Sequence, residues 1–108
     1  MIDWDEVAHE LDAFGCAVIP GLLSAKDCAA AAALYERPPL FRSRVVMGRH
    51  GFGRGGYQYF GYPAPAPVAS LRTELYPPLA AIANRWQAAL GLDTRFPDEH
   101  ADYLARCH

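Results

Sequence analysis

No C-x-x-C pair and no even set of cysteines occurs in this chain. Cys16, Cys28 and Cys107 stand far apart, which gives no disulfide framework and no zinc spacing and reads as reduced, mostly buried thiols of a cytoplasmic protein. Long apolar runs are missing too. The longest, around Ala29–Ala33, is far short of the roughly 20 residues that cross a bilayer, and nothing at the start has the build of a signal peptide. A soluble chain without a membrane partner is expected. Neither sign of charge dominates: ten basic and twelve acidic residues leave −2, which argues against nucleic acid as a partner unless a local patch supplies one. No repeat, charge run or linker divides the sequence. What is present is 108 residues, 52% hydrophobic and 20% charged, enough to bury a core without staples and suited to one globular unit over 1–108.

Punctuation and periodicity predict the elements. Asp3 with Glu6 three places on, then Trp4, Val7, Leu11 and Phe14 on one face, predicts a capped helix ended by Gly15. Cys16–Ile19, closed by Pro20-Gly21, has the length of a short buried strand. Ser24 as N-cap, Asp27 in the first turn and the alanines that follow predict a second helix to about Tyr35. Arg37-Pro38-Pro39 breaks it. Strands over Ser43–Arg49 and Tyr57–Tyr62, joined by the glycine-rich stretch 50–56, should pair as a hairpin. Pro63, Pro65 and Pro67 make a stiff extended spacer. Val68, Leu71 and Leu75, then Leu79, Ile82, Trp86 and Leu90, predict two helices or one kinked at Pro77-Pro78. A last helix is expected from about Pro97, with His100, Tyr103, Leu104 and Cys107 inward. The fold class is α+β, with helices packed on a short antiparallel hairpin.

The motifs that carry chemistry are few. His100-Ala101-Asp102 has the letters H-x-D, but on a helix two positions apart point to nearly opposite sides, so the pair makes a poor metal site. His108 lies too near on the same helix to complete it. The glycine cluster lacks the Lys-Ser/Thr ending of a phosphate-binding loop and sits between strands. Ser24, Ser43 and Ser70 have no nucleophile elbow around them. Arg42, Arg44, Arg49 and Arg54 interleaved with Phe52, Tyr57 and Tyr59 offer a small stacking surface for single-stranded nucleic acid; the −2 charge weighs against that, and a hairpin with a basic face is the simpler account. An interaction module using the 44–62 hairpin as its binding edge is the third reading.

Two stretches resemble a known family. Asp12–Ser24, reaching Cys28, is similar to the entry of many 2-oxoglutarate oxygenases. Phe41–Met47 with Arg49–Gly53, Tyr57, Tyr59, Phe60, Tyr62 and Pro63 resembles bacterial Fe(II)/2-oxoglutarate-dependent oxygenases related to prolyl hydroxylases. The likeness continues through Leu75-Tyr76-Pro77, Ile82–Trp86 and Leu104–His108. It implies the N-terminal support layer of a double-stranded β-helix, or jelly-roll, oxygenase that hydroxylates a prolyl or other side chain. The Fe(II) triad and the 2-oxoglutarate anchor are expected beyond residue 108, so the chain itself is expected to hold no metal, no cofactor and no catalytic residue. Its expected partner is the missing C-terminal jelly-roll, and apolar faces left uncovered should drive self-association. Arg44, Arg49, Tyr57 and Tyr59 are the candidate substrate-flanking residues.

Overall fold

The computed structural model describes residues 1–107. The chain is α+β, with four α-helices and one two-stranded antiparallel sheet among those residues. It divides into two compact units, Leu23–Ser70 and, separately, Met1–Leu22 with the chain from Leu71 on. No described helix is long and apolar enough to cross a membrane.

In the first-and-last unit, α1 (Trp4–Phe14) starts on Asp3, whose carboxylate accepts from the Glu6 N–H at 3.1 Å, and ends at Gly15 with φ 75°. One continuous helix, α3 (Ala66–Ala89), replaces the two expected, with Pro77 and Pro78 inside it. Each proline forgoes one i→i−4 hydrogen bond, yet the helix carries on to contribute Ala80 and Ile82 to the core. Trp86 Nε1 donates to Asp12 Oδ1 at 2.6 Å and ties α3 to α1. After Gly91 the chain returns along α3. There the Asn84 amide donates to Phe96 O at 2.9 Å and accepts from Phe96 N–H at 2.7 Å, so one side chain serves both backbone groups of Phe96. The Tyr76 hydroxyl donates to Pro97 O at 2.7 Å. These bonds hold 96–97 outside any helix, and α4 begins at His100 rather than Pro97, running His100–Cys107. Its inward residues meet Tyr76: the His100 ring at 5.3 Å and the Tyr103 ring at 5.5 Å.

In the middle unit, α2 (Ala25–Ala33) has a full capping box, with Ser24 Oγ accepting from Asp27 N–H and the Asp27 carboxylate accepting from Ser24 N–H. A 3-10 turn at Leu34–Glu36 and another at Pro38–Leu40 lead into β1 (Phe41–Val46). β1 pairs with β2 (Gly56–Phe60). The first strand is shorter than Ser43–Arg49 because the backbone turns at Met47–His50 into a 3-10 turn closed by Gly51 at φ 71°. The proline spacer is shorter as well. α3 begins at Ala66, with Pro67 in its first turn, where a missing N–H costs nothing; Tyr62–Pro63 is cis.

Two further expectations are corrected. Cys16–Ile19 forms no strand: β1 and β2 pair only with each other, so it has no neighbouring strand to bond, and Val18 is 76% exposed. All three cysteines are exposed, not buried. Cys16 sits on that unpaired segment, Cys28 on an alanine helix with no buried residue, and Cys107 in the last turn of α4.

Burial is sparse. Val7, Ala80 and Ile82 are the buried hydrophobic residues among those described, whereas Phe14 and Leu90 are 76% and 71% exposed. Stability should therefore rest on few side chains. Ile82→Ala is expected to cost about 2–5 kcal/mol and Leu90→Ala less than about 0.5 kcal/mol in urea unfolding. At Gly56, opposite Val46 in the sheet, an added Cβ would stand 2.7 Å from the backbone oxygen of Val45. Gly56→Ala is expected to cost about 1–3 kcal/mol and to speed amide exchange across β1 and β2. Tyr76 offers a pH test. Burial, then its neighbour Tyr103, pushes its phenol above the ordinary 10.0, so the folded chain keeps a proton that the unfolded chain releases. That stabilisation is complete below the ordinary value and is lost as pH rises through the raised one. Urea midpoints measured from about pH 8 to about pH 11 should fall less in Tyr76→Phe than in the parent chain.

Candidate functional site

The hairpin's two faces differ in kind. Directly opposed residues of an antiparallel pair project to the same side. The pairs Phe41↔Phe60, Arg44↔Gln58 and Val46↔Gly56 share one face, and Ser43↔Tyr59 and Val45↔Tyr57 share the other. On the first face Phe41 stacks on Phe60 with ring centroids 4.9 Å apart, Tyr35 tilts against Phe41 at 6.0 Å, and Gln58 Nε2 donates to Tyr35 O at 3.1 Å. That face is turned towards the segment just after α2. On the second face Tyr57 and Tyr59 meet edge to face, 5.6 Å between centroids and 88° between planes, and both stay exposed, at 42% and 49%.

A bulge sets Arg42 on this second face. The register shifts between Phe41 and Ser43 while Phe60 and Tyr59 are consecutive, so Arg42 is the extra, unpaired residue. A bulge of this kind re-aims the side chain it carries. The Arg42 Nε–H donates to Phe60 O at 3.1 Å, and its guanidinium carbon lies 5.4 Å from the centroid of Tyr59 and 5.6 Å from that of Tyr62. Both distances are within cation–π range. The outer face is thus a row of three exposed phenol rings with a tethered guanidinium among them.

The four candidate residues separate accordingly. Tyr57 and Tyr59 come together. Arg44 is exposed on the opposite face, beside Gln58, because the bulge reverses the alternation after Phe41. Arg49 is not in the sheet at all but in the 3-10 turn Met47–His50. Arg42 and Tyr62 complete the row instead.

Charge is also divided. Residues 23–70 contain six basic and two acidic side chains, a formal +4, and none of the acidic ones lies between Arg37 and Ser70. The other unit contains four basic and ten acidic, a formal −6. The groove there of about 420 Å³, lined by Val7, Val18, Ile19 and Leu22, also carries Asp3, Glu6 and Glu10. A polyanion is drawn to the hairpin unit and repelled by that groove.

His100 and Asp102 both lie on α4, and His100 is packed against Tyr76; His108 lies outside the described residues. Among the described residues no three His, Cys, Asp or Glu side chains converge to hold a metal ion.

Three comparisons place the chain among known proteins. Over an 82-residue stretch it is 35% identical to two uncharacterized proteins of Mycobacterium tuberculosis, one from strain CDC 1551 / Oshkosh and one from strain ATCC 25618 / H37Rv. The stretch covers 73% of this chain but 34% of either relative, so the match spans about a third of their length. No solved structure matches it. Residues 55–108, half of the chain, match a family described as an oxygenase, catalysing oxidative methylation of damaged DNA; from β2 through α4, the chain belongs to that oxygenase family.

Proposed function

We propose that this chain is the front portion of an Fe(II)/2-oxoglutarate-dependent oxygenase whose substrate is damaged DNA, with iron and cosubstrate held by a jelly-roll core outside these residues. The family match over 55–108 carries this reading. Relatives of which the matched stretch covers 34% leave room for such a core. The apolar surface at Phe14, Trp86 and Leu90 suits a further layer of fold, and without that layer it favours self-association. The family's described substrate and the +4 hairpin unit favour DNA over a prolyl side chain, and they outweigh the −2 of the whole chain.

Within this chain the residues supply binding, not chemistry. The hairpin presents aromatic rings and a fixed guanidinium, groups that position a substrate. The test is succinate release by the full-length protein supplied with Fe(II), 2-oxoglutarate and O₂. Release should be stimulated several-fold by a methylated single-stranded oligonucleotide and not by its unmodified counterpart or by a proline-rich peptide. Stimulation by the peptide alone would return the reading to prolyl hydroxylation, and turnover independent of 2-oxoglutarate would remove the cosubstrate from it.

A further inference from the structure

We infer that the outer face of the hairpin, Tyr57, Tyr59 and Tyr62 with Arg42, is a binding site for single-stranded DNA, on which unpaired bases stack while Arg42 meets the backbone phosphate. This rests on the reading of the chain as part of a DNA-acting oxygenase, and deepens it by naming the strand form and the residues that hold it.

Four observations converge. Two phenol rings, Tyr57 and Tyr59, stand on one side of a two-stranded sheet at 42% and 49% exposure, and Tyr62, just past β2, lies beside Arg42, although the sheet's other side engages its own aromatic residues, Phe41 and Phe60, in a stack. An exposed ring is wasted burial for a folded chain but a ready surface for a nucleobase, which offers a flat π-face whatever its identity. Next, Arg42 is placed rather than free. The bulge turns it to this face, the Phe60 carbonyl fixes its Nε, and the Tyr59 and Tyr62 rings flank its guanidinium. With Nε so used, its terminal N–H groups remain for a phosphate, the fork geometry at which arginine excels. Third, the charge is complementary. Between Arg37 and Ser70 there are five arginines and no carboxylate, so that stretch itself carries nothing that repels a phosphate backbone. Last, the stacking rings lie in and just after β2, in the part of the chain that matches the family.

The face prefers single strands for a geometric reason. In a duplex the base planes are stacked on each other and closed to a protein ring, whereas in a single strand they are open. A proline-rich peptide also packs on tyrosines, but offers no phosphate to the fixed guanidinium of Arg42. The chemistry therefore favours the polyanion.

The experiment is fluorescence anisotropy of the full-length protein with a labelled deoxyoligonucleotide at physiological salt, offered as single strand, as duplex and as an abasic strand of the same length. The intact single strand should bind about tenfold or more tighter than the abasic strand, and tighter than the duplex. Tyr59→Ala and Arg42→Ala should each weaken binding by about tenfold. Tyr59→Phe keeps the π-face and should bind as the parent does, which separates lost stacking from a lost fold. Equal binding of intact and abasic strands, equal binding of the duplex, an unchanged affinity in Tyr59→Ala, or displacement of the strand by a proline-rich peptide but not by unlabelled DNA would each overturn the proposal. If the full-length protein oxidises methylated DNA and Tyr59→Ala neither binds nor turns over less well, the stacking face falls and the oxygenase reading stands. If it oxidises no DNA while single strands bind and Tyr59→Ala loses them, the reverse holds.

Discussion

One extra residue in β1 decides what the hairpin presents. Without the bulge between Phe41 and Ser43, strict alternation would put Arg44 and Arg42 on the same side. With it, Phe41 keeps its stack on Phe60, Ser43 swings to face Tyr59, and Arg42 comes to lie over the tyrosines while Arg44 goes to the other face. The bulge also supplies its own fixing point, since Arg42 bonds the carbonyl of Phe60 opposite the irregularity. A single backbone insertion thus separates Arg42, on the tyrosine face, from Arg44 on the other.

Scarcity of buried side chains shapes the rest. With Val7, Ala80 and Ile82 buried, the hydrophobic contribution is small at roughly 25 cal/mol per Å², and directed interactions matter more than in an ordinary domain. The return segment is held by Asn84 on both backbone groups of Phe96 and by Tyr76 on Pro97. The hairpin is held to the turn after α2 by Gln58 on Tyr35. Each such bond contributes about 1 kcal/mol net, but each also fixes a direction, which apolar contact does not. This is why α4 starts at His100: its preceding residues are committed to α3.

What the sequence made legible was local. Asp3, Ser24 with Asp27, and Gly15 marked helix ends because capping depends on residues within one turn, and those ends stand where they were read. The hairpin was legible as a pair of β-branched and aromatic runs around glycines. Non-local facts were not. Cys16–Ile19 had the composition of a strand, but a strand exists only if another offers it hydrogen bonds, and no spacing announces that. The bulge is equally silent in the sequence. Tyr57 and Tyr59 share a face whichever register holds, whereas the arginine that joins them depends on register rather than on type.

The charge of the chain shows how a correct sum can answer the wrong question. A total of −2 describes the behaviour of the whole polymer in a field, but at physiological ionic strength charges are screened over about 8 Å. A ligand on the hairpin is governed by the arginines within that reach. The ten acidic residues of the other unit enter the sum whichever surface the ligand meets. The signal was present as a run from Arg37 to Ser70 with five arginines and no acid, an asymmetry of absence that counting positive residues alone does not register. Exposed ring area and one fixed guanidinium coincide on one face of one hairpin, and that coincidence, not either by itself, distinguishes the face from an ordinary basic sheet edge.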